Sequence, residues 1–137
     1  MDVPVNYMAV VACAIAAMII GYVWYGPLFG KKWAHMSGVS LERMQKGGGK
    51  SYAIMFVGSL ITAYTLSHVL AFATTYMQTS GVSAGISNGF WMWLGFVAPV
   101  MLGTVLWEGK PWKLWAINSG YYLVVLCTMG VILTSWT

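Results

Sequence analysis

The stretch Gly21-Tyr-Val-Trp-Tyr-Gly-Pro-Leu-Phe-Gly-Lys-Lys-Trp33 decides how this chain is read. An uncharged apolar run ends here, turns on Gly26, Pro27 and Gly30, and meets the first two lysines, Lys31 and Lys32. Trp24, Tyr25, Phe29 and Trp33 crowd the same turn. Aromatic rings beside lysines at the end of an apolar run mark the water interface of a bilayer. The stretch therefore sets depth and direction for everything on either side of it.

Working outward, charge is absent from residues 3–30, 51–107 and 114–137. Only 7% of the 137 residues are charged and 59% are hydrophobic, whereas a soluble domain carries about 25% charged residues. A soluble fold of this length would have almost nothing to cover its surface. A membrane span takes roughly 20 apolar residues, so the outer blocks hold one each and the middle block two. The expected fold is all-α: one transmembrane domain, a four-helix bundle with spans at about 4–26, 51–76, 85–107 and 112–135. Asp2 and the length of the first apolar run argue against a secretory signal peptide.

The 27–50 loop carries Lys31, Lys32, Arg43, Lys46 and Lys50, and the turn after the third span carries Lys110 and Lys113. The other side, with both termini and the 77–84 turn, has no basic residue. The positive-inside rule then puts both basic loops in the cytoplasm and both termini outside, in an inner membrane. Basic residues confined to two loops are topology signals, and no nucleic-acid partner is expected.

Within the loop, Gly30 to Met36 is expected to form a short interfacial helix anchored by Trp33. Ser40 to Lys46 is expected to make a brief turn capped by Ser40, and Gly47-Gly-Gly49 to break any helix. Pro4 suits a first helical turn. Pro99 should kink the third span, with neighbours satisfying the backbone groups it frees.

Small residues recur every four positions on the first span (Ala9, Cys13, Ala17, Gly21) and the second (Ser59, Ala63, Ser67, Ala71, Thr75). Gly85 and Gly89 add a G-x-x-x-G pair on the third. Such stripes let helices approach closely in lipid. They exceed what one small bundle needs, so a homo-oligomer or a place in a larger membrane complex is expected.

A weak echo links Gly21–Trp33 to Gly103–Trp115: both have Gly first, Val third, an aromatic fifth, Lys eleventh and Trp last. Two tandem two-helix units would explain it. Convergence of interface residues would give the same matches.

The run Trp24-Tyr25-Gly26-Pro27-Leu28-Phe29-Gly30 through Trp33 resembles a W-Y-[small]-P-x-x-F-G-x-x-W signature. With Glu108-Gly109 and Ile117-Asn118-Ser119-Gly120-Tyr121, nearly the whole chain resembles the bacterial membrane family catalogued as domain of unknown function 1761. The resemblance implies a small four-helix membrane protein and no particular activity. One departure is Tyr122, where the family often has His after the Gly-Tyr pair.

Chemistry inside the spans comes down to two places. His68 is the one ionisable residue well inside a span, about 26 Å from the basic end at roughly 1.5 Å per residue. Thr65 and Thr62 lie three and six residues before it, with Tyr64 adjacent. An intramembrane ionisable group is a functional candidate, and histidine can shuttle protons near neutral pH. The plainer alternative is a histidine bonded across helices.

Asn118 lies about 10 Å in from the basic end, where Tyr121 and Tyr122 would line a small polar cavity with it. Burying its amide requires a partner, with Tyr25 or Glu108 at similar depth. Glu108 is otherwise expected to pair with Lys110 and Lys113. Cys13 and Cys127 fall at similar depth and are expected to be unreactive neighbours. No catalytic set, paired intramembrane carboxylates, metal spacing or cofactor motif is read from the sequence.

Two functions fit. One is a permeation protein passing an ion or small solute along a polar surface between the second and fourth spans. The other is a non-catalytic accessory or scaffold subunit.

Overall fold

Apolar helices without charge in their interiors pack by shape, and the element order follows from where that shape is interrupted. The computed structural model describes residues 5–38 and 48–136. Helix α1 (Tyr7–Val23) is capped by Asn6, whose side-chain oxygen accepts from Ala9 N at 3.2 Å. The helix thus starts later than the sequence suggested, because Asn6 satisfies an otherwise orphaned amide. Pro4 lies outside the described residues, as do Ser40, Arg43 and Lys46 of the expected turn.

The end of α1 widens into a π-turn, Trp24–Leu28. Gly26 leaves helical geometry there (φ −105°, ψ −106°), and Phe29 N reaches back to Trp24 O at 2.9 Å. Pro27 cannot donate a backbone bond, so the helix loosens around it. Helix α2 (Gly30–Ser37) follows immediately and stops at Gly38, whose φ of +77° is costly for any residue with a Cβ.

Helix α3 runs Gly48–Met77, 30 residues without a break. The expected glycine break is therefore wrong at Gly48 and Gly49, which lie inside the helix. A glycine costs only about 1 kcal/mol in a helix, and the long apolar segment behind it propagates through. The turn to the next helix is also shorter than 77–84. Gln78 takes a positive φ of 53°, and α4 (Gly81–Phe96) begins at Gly81.

The third span bends by 43° between Phe96 and Val100, next to Pro99. It continues as a 3₁₀ turn (Val100–Leu102) and the short α5 (Gly103–Leu106). Helix α6 (Trp112–Ser135) completes the chain. Helix α1 together with its π-turn (Tyr7–Leu28), α3 and α6 are each long and apolar enough to cross a membrane, and the bent α4–α5 pair makes a fourth crossing if counted as one. No strand occurs among the described residues.

Helix α6 is the hub, packing on α4 along most of its length and on α1 and, more lightly, α3. The core is built from Ala9, Cys13 and Ala17 of α1, Ala63 and Leu66 of α3, and Val125 and Met129 of α6. The first small-residue stripe thus faces inward, and Ser59 and Ala63 of the second join it. Where α4 meets α6 the backbones touch: a Cβ on Gly85 would collide with the Gly130 carbonyl, and one on Gly89 would lie 2.7 Å from Leu126 O. Asn6 closes the bundle at that end by donating to Trp136 O at 2.9 Å.

Candidate functional site

The Trp24-Tyr25 pair leaves α1 just where α6 offers Ile117-Asn118-Ser119-Gly120-Tyr121, and the two segments interlock. Trp24 Nε1 donates to Ile117 O at 2.9 Å, and the Tyr25 hydroxyl donates to Asn118 Oδ1 at 2.9 Å. The Tyr121 hydroxyl donates back to Ala17 O at 3.0 Å. Two of the rings, Trp24 and Tyr121, each sit against a glycine of the opposite helix. A Cβ on Gly120 would lie 3.3 Å from the Trp24 ring, and one on Gly21 would lie 3.2 Å from the Tyr121 oxygen. Polar ring tips on apolar bodies suit this depth, since each finds an acceptor while the body fills space.

The rings form a continuous cluster. Tyr25 meets Trp33 and Tyr121 edge-on at 5.6 and 5.3 Å, and Tyr121 meets Tyr122 at 5.0 Å. Phe29 packs at 4.9 Å from Trp24. Gly30 is buried because the chain doubles back there, and a Cβ would lie 2.5 Å from Tyr25 O. Pro27 is exposed in the π-turn.

Two tryptophans extend the pattern from the other side of α6. Trp93 Nε1 donates to Ser119 O at 2.7 Å, and Trp115 Nε1 donates to Ala98 O at 3.0 Å. The second bond relieves a carbonyl beside the Pro99 break. Trp93 thus meets the half of α6 nearer the lysines. Neither bond was foreseen; a tryptophan at a bend beside a facing helix was the available signal.

A cavity of about 280 Å³ opens beside this cluster, lined by Gly21, Tyr22 and Tyr25 of α1 and its turn, Tyr52 of α3, and Tyr121 and Tyr122 of α6. At the other end, a groove of about 560 Å³ lies between α3, α6, the two residues that precede α1 and the α3–α4 turn. Its polar lining includes Asn6, Ser67, Thr74, Thr75, Ser80 and Thr134. Between the two lie the fully buried Ala9, Cys13 and Ala17, and Met129 at 1% exposure.

His68 lies elsewhere. Its Nδ1 is 3.0 Å from Tyr64 O of its own helix, and since a carbonyl only accepts, Nδ1 carries the proton. The ring sits 4.6 Å from Tyr64 and 6.5 Å from Phe72, in an aromatic ladder on α3. Thr62 and Thr65 are exposed, and Thr62 Oγ1 bonds Gly58 O. The expected polar surface between the second and fourth spans is therefore not built from these residues. A four-residue period marks a face of α3 without saying what it faces, and this one turns away from α6.

Glu108 is exposed in the turn before α6, and Gly109 beside it holds a φ of +70°. Lys110 donates to Ser37 O at 3.1 Å, tying that turn to the end of α2. The two cysteines are not neighbours. Cys13 Sγ points to Met129 O and Cys127 Sγ to Ile86 O, on different sides of α6. The echoed segments also part company after the turn, since Lys31 to Trp33 lie in the separate α2 and Lys113 to Trp115 in the first turns of α6.

No curated protein and no solved structure matches this chain. The segments that interlock, Trp24 to Trp33 and Ile117 to Tyr121, both fall within the 8–134 matched by the family model described as protein of unknown function (DUF1761), and the chain belongs to that family.

Proposed function

We propose that this protein passes a small uncharged polar solute across the membrane through the α1–α3–α6 interface. The observation that carries this reading is a pair of cavities at opposite ends of the bundle, each with hydroxyl groups set in a largely apolar wall, with a closely packed apolar plug between them. Along α1 the order is Asn6 in one cavity, Ala9 to Ala17 in the plug, and Gly21 to Tyr25 in the other. The plug spans about 12 Å at 1.5 Å per residue, so passage requires α1 to move relative to α3 and α6. Hydroxyl and amide groups with no carboxylate, lysine, arginine or histidine among the described lining residues favour neutral polar solutes, because stripping water from an ion has no compensation there. The path differs from the His68 stripe that the sequence pointed to.

Stopped-flow shrinkage of proteoliposomes in glycerol, urea or erythritol tests this. Solute entry several-fold faster than in empty vesicles, lost in Ala71→Trp, which fills the hydroxyl groove, and kept in His68→Ala, is the expected result. Rates equal to empty vesicles for all three solutes count against it.

A second reading, a self-associating or accessory subunit, is favoured by the outward face of α3, where Ile61, Thr62, Tyr64 and Thr65 are all exposed. Thr62→Cys crosslinking in native membranes tests it: a specific dimer supports association through α3, and a monomer argues against it. The proposed orientation keeps Lys31, Lys32, Lys110 and Lys113 in the cytoplasm and both termini outside.

A further inference from the structure

A third cavity belongs to neither vestibule. It lies between α2 and the first turns of α6, has a volume of about 480 Å³, and is lined by two kinds of side chain. Lys32 and His35 stand three apart on one face of α2, and Lys113 comes from the start of α6. All three are exposed. The rest of the lining includes Trp24, Phe29 and Ile117. Among the described residues, no acidic side chain lines it. The apolar wall is held in place, because Trp24 Nε1 is bonded to Ile117 O and Phe29 packs against the Trp24 ring.

Cations on an apolar-walled cleft at the level of the interface aromatics define what fits. The geometry points to a binding site for an anionic glycerophospholipid, with its phosphate between Lys32 and Lys113 and the start of an acyl chain along Trp24, Phe29 and Ile117. Basic pockets beside transmembrane helices take lipid phosphates in this way, and the volume lies within the range of small-molecule sites. A free phosphate would use the lysines but leave the apolar wall empty. The lipid uses both, which is why it is the assigned occupant. Bound there, it bridges α2 and α6, whose ends are also linked by the Lys110 bond from the turn before α6 to Ser37 O.

Native mass spectrometry of the delipidated protein tests the assignment, with phosphatidylglycerol, phosphatidylcholine and inorganic phosphate as probes. The expected result is one phosphatidylglycerol held at least tenfold more tightly than phosphatidylcholine and not displaced by millimolar phosphate. Each lysine near the membrane surface contributes roughly fivefold to anionic lipid binding, so Lys32→Gln with Lys113→Gln should weaken it by about 25-fold. Lys31→Gln, outside the cleft, should leave it unchanged. Equal retention of both lipids, displacement by phosphate alone, or an equal loss in Lys31→Gln would each overturn the assignment. The site is independent of solute passage, so loss of one reading leaves the other standing.

Discussion

At one end α6 meets α4 backbone to backbone, with Gly85 against Gly130 and Gly89 against Leu126. At the other it meets α1 through rings, with Trp24, Tyr25 and Tyr121 each donating across to the facing helix. The first contact works by the absence of side chains and leaves no space. The second works by large side chains with polar tips, and rings of fixed shape cannot fill a crossing completely. The tyrosine-lined cavity lies at the second crossing for that reason. In lipid, where apolar burial does not distinguish a neighbour helix from solvent, shape and hydrogen bonds decide helix pairing. This chain divides the two devices between the ends of one helix.

The comparison breaks most visibly at the glycines. Gly85→Val should lower stability by about 3 kcal/mol or prevent folding, since overpacking a tight contact typically costs 1–3 kcal/mol and backbone cannot move aside as a side chain can. Unfolding in mixed micelles reads this. Gly95→Ala is the matched control: a Cβ there meets nothing within 4 Å. It should be neutral or stabilise by up to about 1 kcal/mol.

The ring crossing should respond more gently. Tyr25→Phe keeps the ring and removes the bond to Asn118, for an expected loss of about 1 kcal/mol. A double-mutant cycle with Asn118→Ala should give a coupling of about 0.6–1.7 kcal/mol, the range seen between membrane helices. A coupling near zero would mean that the bond does not hold the crossing. His68→Ala should be smallest, within about 0.5 kcal/mol, because its one hydrogen bond is to its own helix.

The spans were legible because three charge-free blocks leave no other class of fold. The Tyr25–Asn118 bond was within reach of counting residues inward from the lysines. Which way α3 turns was not. It is apolar around most of its circumference, so the periodicity that found Ala63 and His68 equally gives no sign of which faces the core. Gly130 escaped notice because a single glycine on α6 becomes meaningful only when Gly85 is opposite it. Trp93 and Trp115 read as interface aromatics, and their acceptors are carbonyls, which every residue possesses and no sequence pattern marks.

The central claim is that two hydroxyl-bearing cavities at opposite ends of the bundle flank a closely packed apolar plug. Labelling of intact cells with a membrane-impermeant maleimide, in a Cys127→Ser background, tests it most directly. Thr74→Cys should react from outside, Tyr52→Cys only after the inner face is exposed, and the buried Cys13 from neither side. Reaction of Cys13 as fast as Thr74→Cys, or of both introduced cysteines from the same side, would contradict the account.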